Sequence, residues 1–118
     1  MDSDNIFNKL KSILQTHENE LSILHDKIDN YYLNTKINDR NKKPEFFGAV
    51  QIKKSYIAYH LMPIYCFPEL LDTISDELKS KMQGKSCFNF KEIDEKLFEE
   101  LKNLTKICFE KYKSIHKI

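Results

Sequence analysis

The chain has 118 residues, in which 19 lysines and arginines nearly balance 18 aspartates and glutamates to give a formal net charge of +1. This balance provides no general field that would attract phosphate backbones or anionic lipid. Arg40 is the only arginine, and an ammonium group reads bases and phosphates less well than a guanidinium. The sequence therefore predicts a single domain over residues 1–118, with no nucleic-acid or membrane partner.

Two further features predict a cytoplasmic protein with reduced thiols. No apolar run approaches the ~18 residues that span a bilayer, and the acidic start Met1-Asp2-Ser3-Asp4 is unlike a signal peptide. The three cysteines cannot all pair, and their surroundings in the sequence are apolar. We expect Cys66, Cys87 and Cys108 to be free and mostly buried.

The first part of the chain predicts a helix followed by two strands. Apolar residues at helical spacing from Ile6 to Leu14 indicate a helix from about Asp4 to His17. Short β-prone segments then predict an antiparallel pair, Leu21 to Leu24 and Asn30 to Thr35. The polar residues from Thr35 to Pro44 predict a loop, which we expect to be the most mobile segment.

The clearest strand pair comes next, with Glu45 to Ile52 and Tyr56 to Leu61 joined by a short hairpin loop. Side chains alternate along a strand, so two sets are expected on opposite faces. One set is Phe46, Gly48, Val50 and Ile52, and the other is Phe47, Ala49 and Gln51. We expect the more aliphatic sets to face the helices.

The remaining elements are short except for the last helix. Pro68 suits the first turn of a helix over Glu69 to Thr73, Ser75 is a predicted N-cap, and Gly84 is expected to be left-handed. The other predicted elements are a helix over Asp76 to Met82, a strand over Cys87 to Phe90 and a helix over Asp94 to Ser114, with Asp94 as N-cap. The order predicts an α+β fold, an antiparallel sheet of about five strands with the N- and C-terminal helices on one face and short helices before the last strand.

Two segments carry a resemblance to a known family, Met82-Gln83-Gly84-Lys85 and the alternating strand Cys87-Phe88-Asn89-Phe90. A glycine-lysine turn that leads into an aromatic strand and then a long helix resembles the YdhG-like family of small bacterial domains. Lys91 departs from the proline that many members have at this position. The resemblance implies the α+β fold and, because some members are described as frataxin-like iron chaperones, iron handling as a possible role. It implies no catalytic residues.

The candidate ligand site is the sheet face opposite the aliphatic one. The residues singled out for it are Phe47, Gln51, Tyr56 and His60, with Lys85 contributed by the glycine-lysine turn. Ala49 and Ala58 would form a shallow floor between these larger side chains, which is the composition of many small-ligand clefts. The alternative is that the short helices before the last strand cover this face as a second layer of core.

The sequence also contains residues that suit three other chemistries. An acidic segment offers loose oxygen-rich coordination of iron through Glu18, Glu20, His25, Asp26 and Asp29, without a recognised ligand spacing. His60 with Cys66 or Cys87 could form a nucleophilic pair if the geometry brought them together. Gly84-Lys85-Ser86 resembles the end of a phosphate-binding loop, but Lys79 stands where that motif requires glycine.

The sequence thus favours a non-enzymatic domain that binds a small ligand or a protein partner through the sheet face and the Gly84-Lys85 turn. No cofactor is expected, and the protein is expected to be a monomer or a homodimer. Iron handling by the acidic segment is the first alternative, and an enzyme using His60 with a cysteine is the second.

Overall fold

The computed structural model describes residues 1–118 and contains a five-stranded antiparallel sheet with helices on one face. The strands are β1 (Leu21–Lys27), β2 (Asn30–Thr35), β3 (Phe46–Ile52), β4 (Ile57–Leu61) and β5 (Cys87–Phe90). The helices are α1 (Ser3–Gln15), α2 (Met62–Cys66), α3 (Asp76–Lys79) and α4 (Glu95–Ser114), with 3-10 helices at Glu18–Glu20 and Pro68–Thr73. Each strand pairs with the next along the chain. The predicted α+β fold is confirmed.

The helices α1 and α4 form because their apolar residues recur at helical spacing and can all be buried against the sheet. The buried residues of α1 are Ile6, Phe7, Leu10, Ile13 and Leu14. The side chain of Asp94 accepts a hydrogen bond from the Leu97 amide at 3.1 Å and so caps α4, as predicted. None of the helices is both long enough and apolar enough to cross a membrane.

The segment between β4 and β5 lies on the helical side of the sheet, against α4. Ser75 caps α3 by accepting from the Leu78 amide at 3.2 Å. Its own amide and hydroxyl both donate to the carboxylate of Glu100 in α4, each at 2.9 Å. Ile74 and Leu78 are buried in the same core as the two long helices. The segment therefore does not cover the opposite face of the sheet, which we call the open face.

Gly84 has the predicted positive φ, at 83°, but in a different setting. The helix expected to lead into it ends earlier, at Lys79. The amide of Gln83 donates to the Cys87 carbonyl at 2.9 Å, so Gly84-Lys85-Ser86 is a three-residue turn between a short extended segment and β5. Glycine suits this turn because left-handed backbone carries no penalty without a Cβ.

Other element boundaries differ from the predicted ones for local reasons. Strand β1 continues to Lys27 rather than ending at Leu24, because it pairs with the whole of β2 and leaves only a two-residue turn. The segment Pro68–Thr73 is a 3-10 helix instead of an α-helix. The short helix α2 was not predicted, and Pro63 lies in its first turn, where a missing amide hydrogen costs nothing.

The predicted faces of β3 are wrong at the start of the strand. The register with β2 shifts between Leu33 and Asn34, which pair with Gly48 and Phe46, so Phe47 has no partner and forms a β-bulge. An inserted residue breaks the two-residue alternation that the prediction assumed. Phe47 is consequently fully buried on the helical side, while Phe46 lies on the open face.

The loop that follows β2, expected to be mobile, is tied to the C-terminal end of the chain. The side-chain amide of Asn41 donates to the Thr35 hydroxyl at 2.9 Å and to the Lys117 carbonyl at 3.1 Å. The ammonium group of Lys117 also contacts the Glu45 carboxylate at 2.5 Å. These contacts give the loop a defined position across the end of the sheet.

Candidate functional site

The open face consists of side chains that lie in rows across the strands. The register of the four strand pairs aligns one row from β1 to β5, formed by His25, Tyr32, Ala49, His60 and Cys87. The adjacent row is formed by Lys27, Asn30, Gln51, Ala58 and Asn89. Because side chains alternate along each strand, all of these project away from the helices.

A depression of about 280 Å³ lies on the open face where β3, β4 and β5 adjoin. Two small side chains, Ala49 and Ala58, lie at its floor, and larger polar groups surround them. The residues that line it are Ala49, Gln51, Lys53, Tyr56, Ala58, His60, Gln83, Cys87 and Asn89. Lys53 is the only one of these with a formal charge, so the depression presents mainly neutral hydrogen-bonding groups and one cation.

A row of rings stabilises one side of this face. Phe46 stacks on Tyr32 with centroids 4.5 Å apart, and the edge-to-face contact of Phe46 with His60 measures 4.9 Å between centroids. His25 continues the row beyond Tyr32, with centroids 5.7 Å apart. Ring pairs of this kind restrict side-chain rotation, so His60 is held in one orientation beside the alanine floor.

His60 is a neutral, oriented hydrogen-bonding group. Its Nε2 lies 2.6 Å from the hydroxyl of Ser86, a residue that is only 6% exposed. Burial lowers the pKa of His60 below its usual value of 6.5, because the charged imidazolium would lose solvation. The other ring nitrogen has no protein partner and keeps contact with solvent, so it is the one available to a ligand.

Amide side chains provide the other polar groups. Gln51 donates through Nε2 to the Asn30 side-chain oxygen at 3.1 Å, which fixes the orientation of both amides. Asn89 accepts at 3.8 Å from the Cys87 thiol. A side-chain amide presents both N–H donors and a carbonyl acceptor. This side of the depression therefore suits a ligand that has hydrogen-bond donors and acceptors along one edge.

Three of the five residues predicted for the ligand site, Gln51, Tyr56 and His60, line the depression. The other two predicted residues, Phe47 and Lys85, lie elsewhere. Phe47 lies in the core, where its ring is 6.2 Å from that of Phe109, because of the bulge in β3. Lys85 does not line the depression, since its ammonium group lies 5.8 Å from the ring of Tyr65, in α2.

The depression also contains polar residues that were not predicted from the sequence to belong to the ligand site. Cys87 and Asn89 alternate with the buried Phe88 and Phe90, and this alternation already signalled that both face away from the core. Gln83 joins the site because the chain before Gly84 pairs with β5, which no local pattern indicated.

The acidic side chains proposed for iron do not converge in the structure. No group of three or more histidine, cysteine, aspartate or glutamate side chains comes close enough to hold an ion. The proposed ligands point to separate partners: Glu18 accepts from Tyr31 at 2.5 Å, Glu20 contacts Lys113, and Asp26 contacts Lys11. Of the remaining two, His25 lies in the ring row and Asp29 in the turn between β1 and β2.

No thiol is arranged as a nucleophile. All three cysteines are unpaired, and contrary to the expectation of mostly buried thiols, Cys66 is exposed and Cys87 half-buried. Cys87 pairs with His60 across β4 and β5, but burial raises the pKa of its thiol, with Lys53 opposing the change. A reactive cysteine requires a lowered pKa, so this arrangement does not activate Cys87. Cys66 instead contacts the hydroxyl of Tyr112 at 3.7 Å.

Comparison of the chain with protein-family models, curated proteins and solved structures finds no match. The resemblance to the YdhG-like family therefore stays a prediction.

Proposed function

We propose that this protein is a non-enzymatic binding domain whose open sheet face holds a small polar ligand. The observation that carries the proposal is the depression over Ala49 and Ala58, with oriented polar side chains around a floor of two methyl groups. Its volume of about 280 Å³ is near the lower end of ligand sites, which span roughly 300–1,000 Å³. This size suits a small molecule or one part of a larger one.

The lining favours a flat ligand with donors and acceptors on its edge. Methyl groups at the floor can contact a planar face without steric conflict, and the Tyr56 ring offers a surface for stacking. His60 and Asn89 supply neutral hydrogen bonds, each contributing roughly 0.5–1.5 kcal/mol. Because Phe46 and Ser86 already fix His60, less conformational entropy is lost on binding.

The alternatives have less support. Iron handling would require the acidic side chains to converge, and three of the four carboxylates instead contact two separate lysines and Tyr31. An enzyme using His60 and a cysteine would require a thiol of lowered pKa, and burial acts in the opposite direction on Cys87. A protein partner on the same face, membership of the YdhG-like family and a cytoplasmic location stay predictions.

The test is a screen of small polar aromatic compounds by NMR chemical shifts, repeated on Ala58→Leu. We expect compounds that shift the amides of β3, β4 and β5, and these shifts should be lost in Ala58→Leu because the larger side chain fills the floor. Asn34→Leu is the matched control, since Asn34 pairs with Phe46 on the open face outside the depression. Shifts that persist unchanged in Ala58→Leu, or no compound that binds, would contradict the proposal.

A further inference from the structure

A second and larger depression, of about 760 Å³, lies at the C-terminal end of β5. It lies between the hairpin turn before β4 and the chain that leads to Gly84. Its lining is more polar than that of the open face and includes Ser55, Ser80, Lys81, Lys91 and Glu92. The candidate site described above does not include these residues.

The two depressions adjoin. Tyr56, Gln83 and Asn89 line both of them, so a ligand on the alanine floor could extend into the second depression past these three side chains. The combined surface is a groove that begins on the alanine floor and continues to the residues that follow β5. A ligand with two chemically different parts could occupy it.

The charge along this groove is uneven. Lys53 lines the first depression, Lys81 and Lys91 line the second, and Glu92 is the only carboxylate in either. None of these three lysines takes part in an ion pair, which is also true of ten of the other fifteen lysines of the protein. Three ammonium groups and one carboxylate around the same groove favour an anion, even though the net charge of the chain is only +1.

We propose that the ligand is a planar heterocycle that carries a phosphate, the chemistry of a mononucleotide. The heterocycle would lie over Ala49 and Ala58, where His60 and the amides meet its edge, and the phosphate would lie between Lys81 and Lys91. This assignment rests on the proposed function and specifies the ligand class. It also replaces Lys85, the cation expected from the sequence, with Lys81, whose segment pairs with β5, and Lys91, which directly follows β5.

The experiment compares adenosine 5′-monophosphate with adenosine in NMR titrations of the whole protein at low salt. The monophosphate should bind about three- to tenfold more tightly, the range expected from two exposed charge contacts, and this preference should decrease as salt rises. The double variant Lys81→Gln/Lys91→Gln should bind the two compounds equally. The matched control Lys54→Gln/Lys79→Gln removes two charges that line neither depression and should keep the preference.

Equal binding of both compounds to the unaltered protein, or no effect of the monophosphate on the groove, would overturn this inference. Either result leaves the proposed function to be judged separately by the Ala58→Leu screen. Tighter binding of a six-nucleotide single-stranded RNA than of the monophosphate would also overturn it, because the ligand would then be a nucleic acid strand.

Discussion

At the level of single residues, burial controls the protonation of two histidines. Burial lowers the pKa of His60, and it also lowers the pKa of His17, where the nearby Glu20 and Glu110 oppose the effect. His17 stacks on Phe109 with centroids 4.5 Å apart, and His60 contacts Phe46. Both rings are therefore packed as neutral imidazoles, because the charged form would lose part of its hydration on burial.

This arrangement predicts that the protein loses stability as the pH falls from 7 towards 6. The unfolded chain takes up protons on both histidines near pH 6.5, while the folded protein takes them up only at lower pH. The unfolding free energy should thus be highest above pH 7 and decrease through this window. Urea unfolding at pH 7 and pH 6 measures the difference, and His17→Gln/His60→Gln should reduce it. NMR titration midpoints at or above 6.5 for these two imidazoles would contradict the explanation.

At the level of secondary-structure elements, a buried polar contact links β4 to α4. The hydroxyl of Thr105 donates to the Leu101 carbonyl at 2.8 Å, so its only hydrogen is already used. Tyr59, whose hydroxyl lies 2.7 Å from the Thr105 oxygen, must then be the donor in that pair. Both residues are fully buried, and burial raises the pKa of Tyr59 well above its usual range. The contact fixes the position of the long helix along the sheet.

A double-mutant cycle should show this coupling. Thr105→Val leaves the buried Tyr59 donor without an acceptor, which should cost about 1–3 kcal/mol, whereas Tyr59→Phe should cost about 1 kcal/mol because Thr105 keeps its bond to Leu101. The double variant should cost less than the sum, with an interaction energy of roughly 1 kcal/mol measured by urea unfolding. If the losses of the two single variants add up in the double variant, the contact between the two hydroxyl groups does not contribute to the unfolding free energy.

The element level also explains which parts of the fold the sequence predicts. Periodicity located all five strands and both long helices, because α1 and α4 each bury one continuous stripe and Asp94 caps the second helix. It failed at β3, since a bulge depends on how two strands pair and the alternation of a single strand carries no signal for it. The swapped positions of Phe46 and Phe47 follow from that one inserted residue.

At the level of the whole molecule, the candidate site could be predicted only in part. Gln51, Tyr56 and His60 were identified because they alternate with apolar residues within one hairpin. Lys81 and Gln83 reach the same groove through pairing of their segment with β5, and the acidic residues near β1 separate because lysines of distant helices bind them. Both outcomes depend on long-range packing, for which the local sequence has no pattern.

The whole molecule is closed at one end by contacts between the loop after β2 and the C-terminal residues. Asn41 joins the two through its side-chain amide, and its backbone amide donates to the Asn38 side chain at 2.6 Å. Thr35, which is fully buried, accepts from Asn41 and from the Glu45 amide at 2.9 Å each. One side chain therefore connects the end of β2, the loop and the residues that follow α4.

Asn41→Ala should loosen this end without disturbing the sheet. The variant loses the side-chain bonds from Asn41 to Thr35, Lys36 and Lys117, whereas Thr35 still accepts from the Glu45 amide. We therefore expect a loss of about 1–2 kcal/mol in the unfolding free energy. Amide hydrogen exchange should accelerate over residues 36–44 and 115–118, while β3 and β4 stay protected. Asp39→Ala is the control, because Asp39 is exposed and its side chain makes no hydrogen bond or ion pair. If exchange accelerates equally in both variants, the Asn41 contacts do not determine the protection of these amides, and the explanation is wrong.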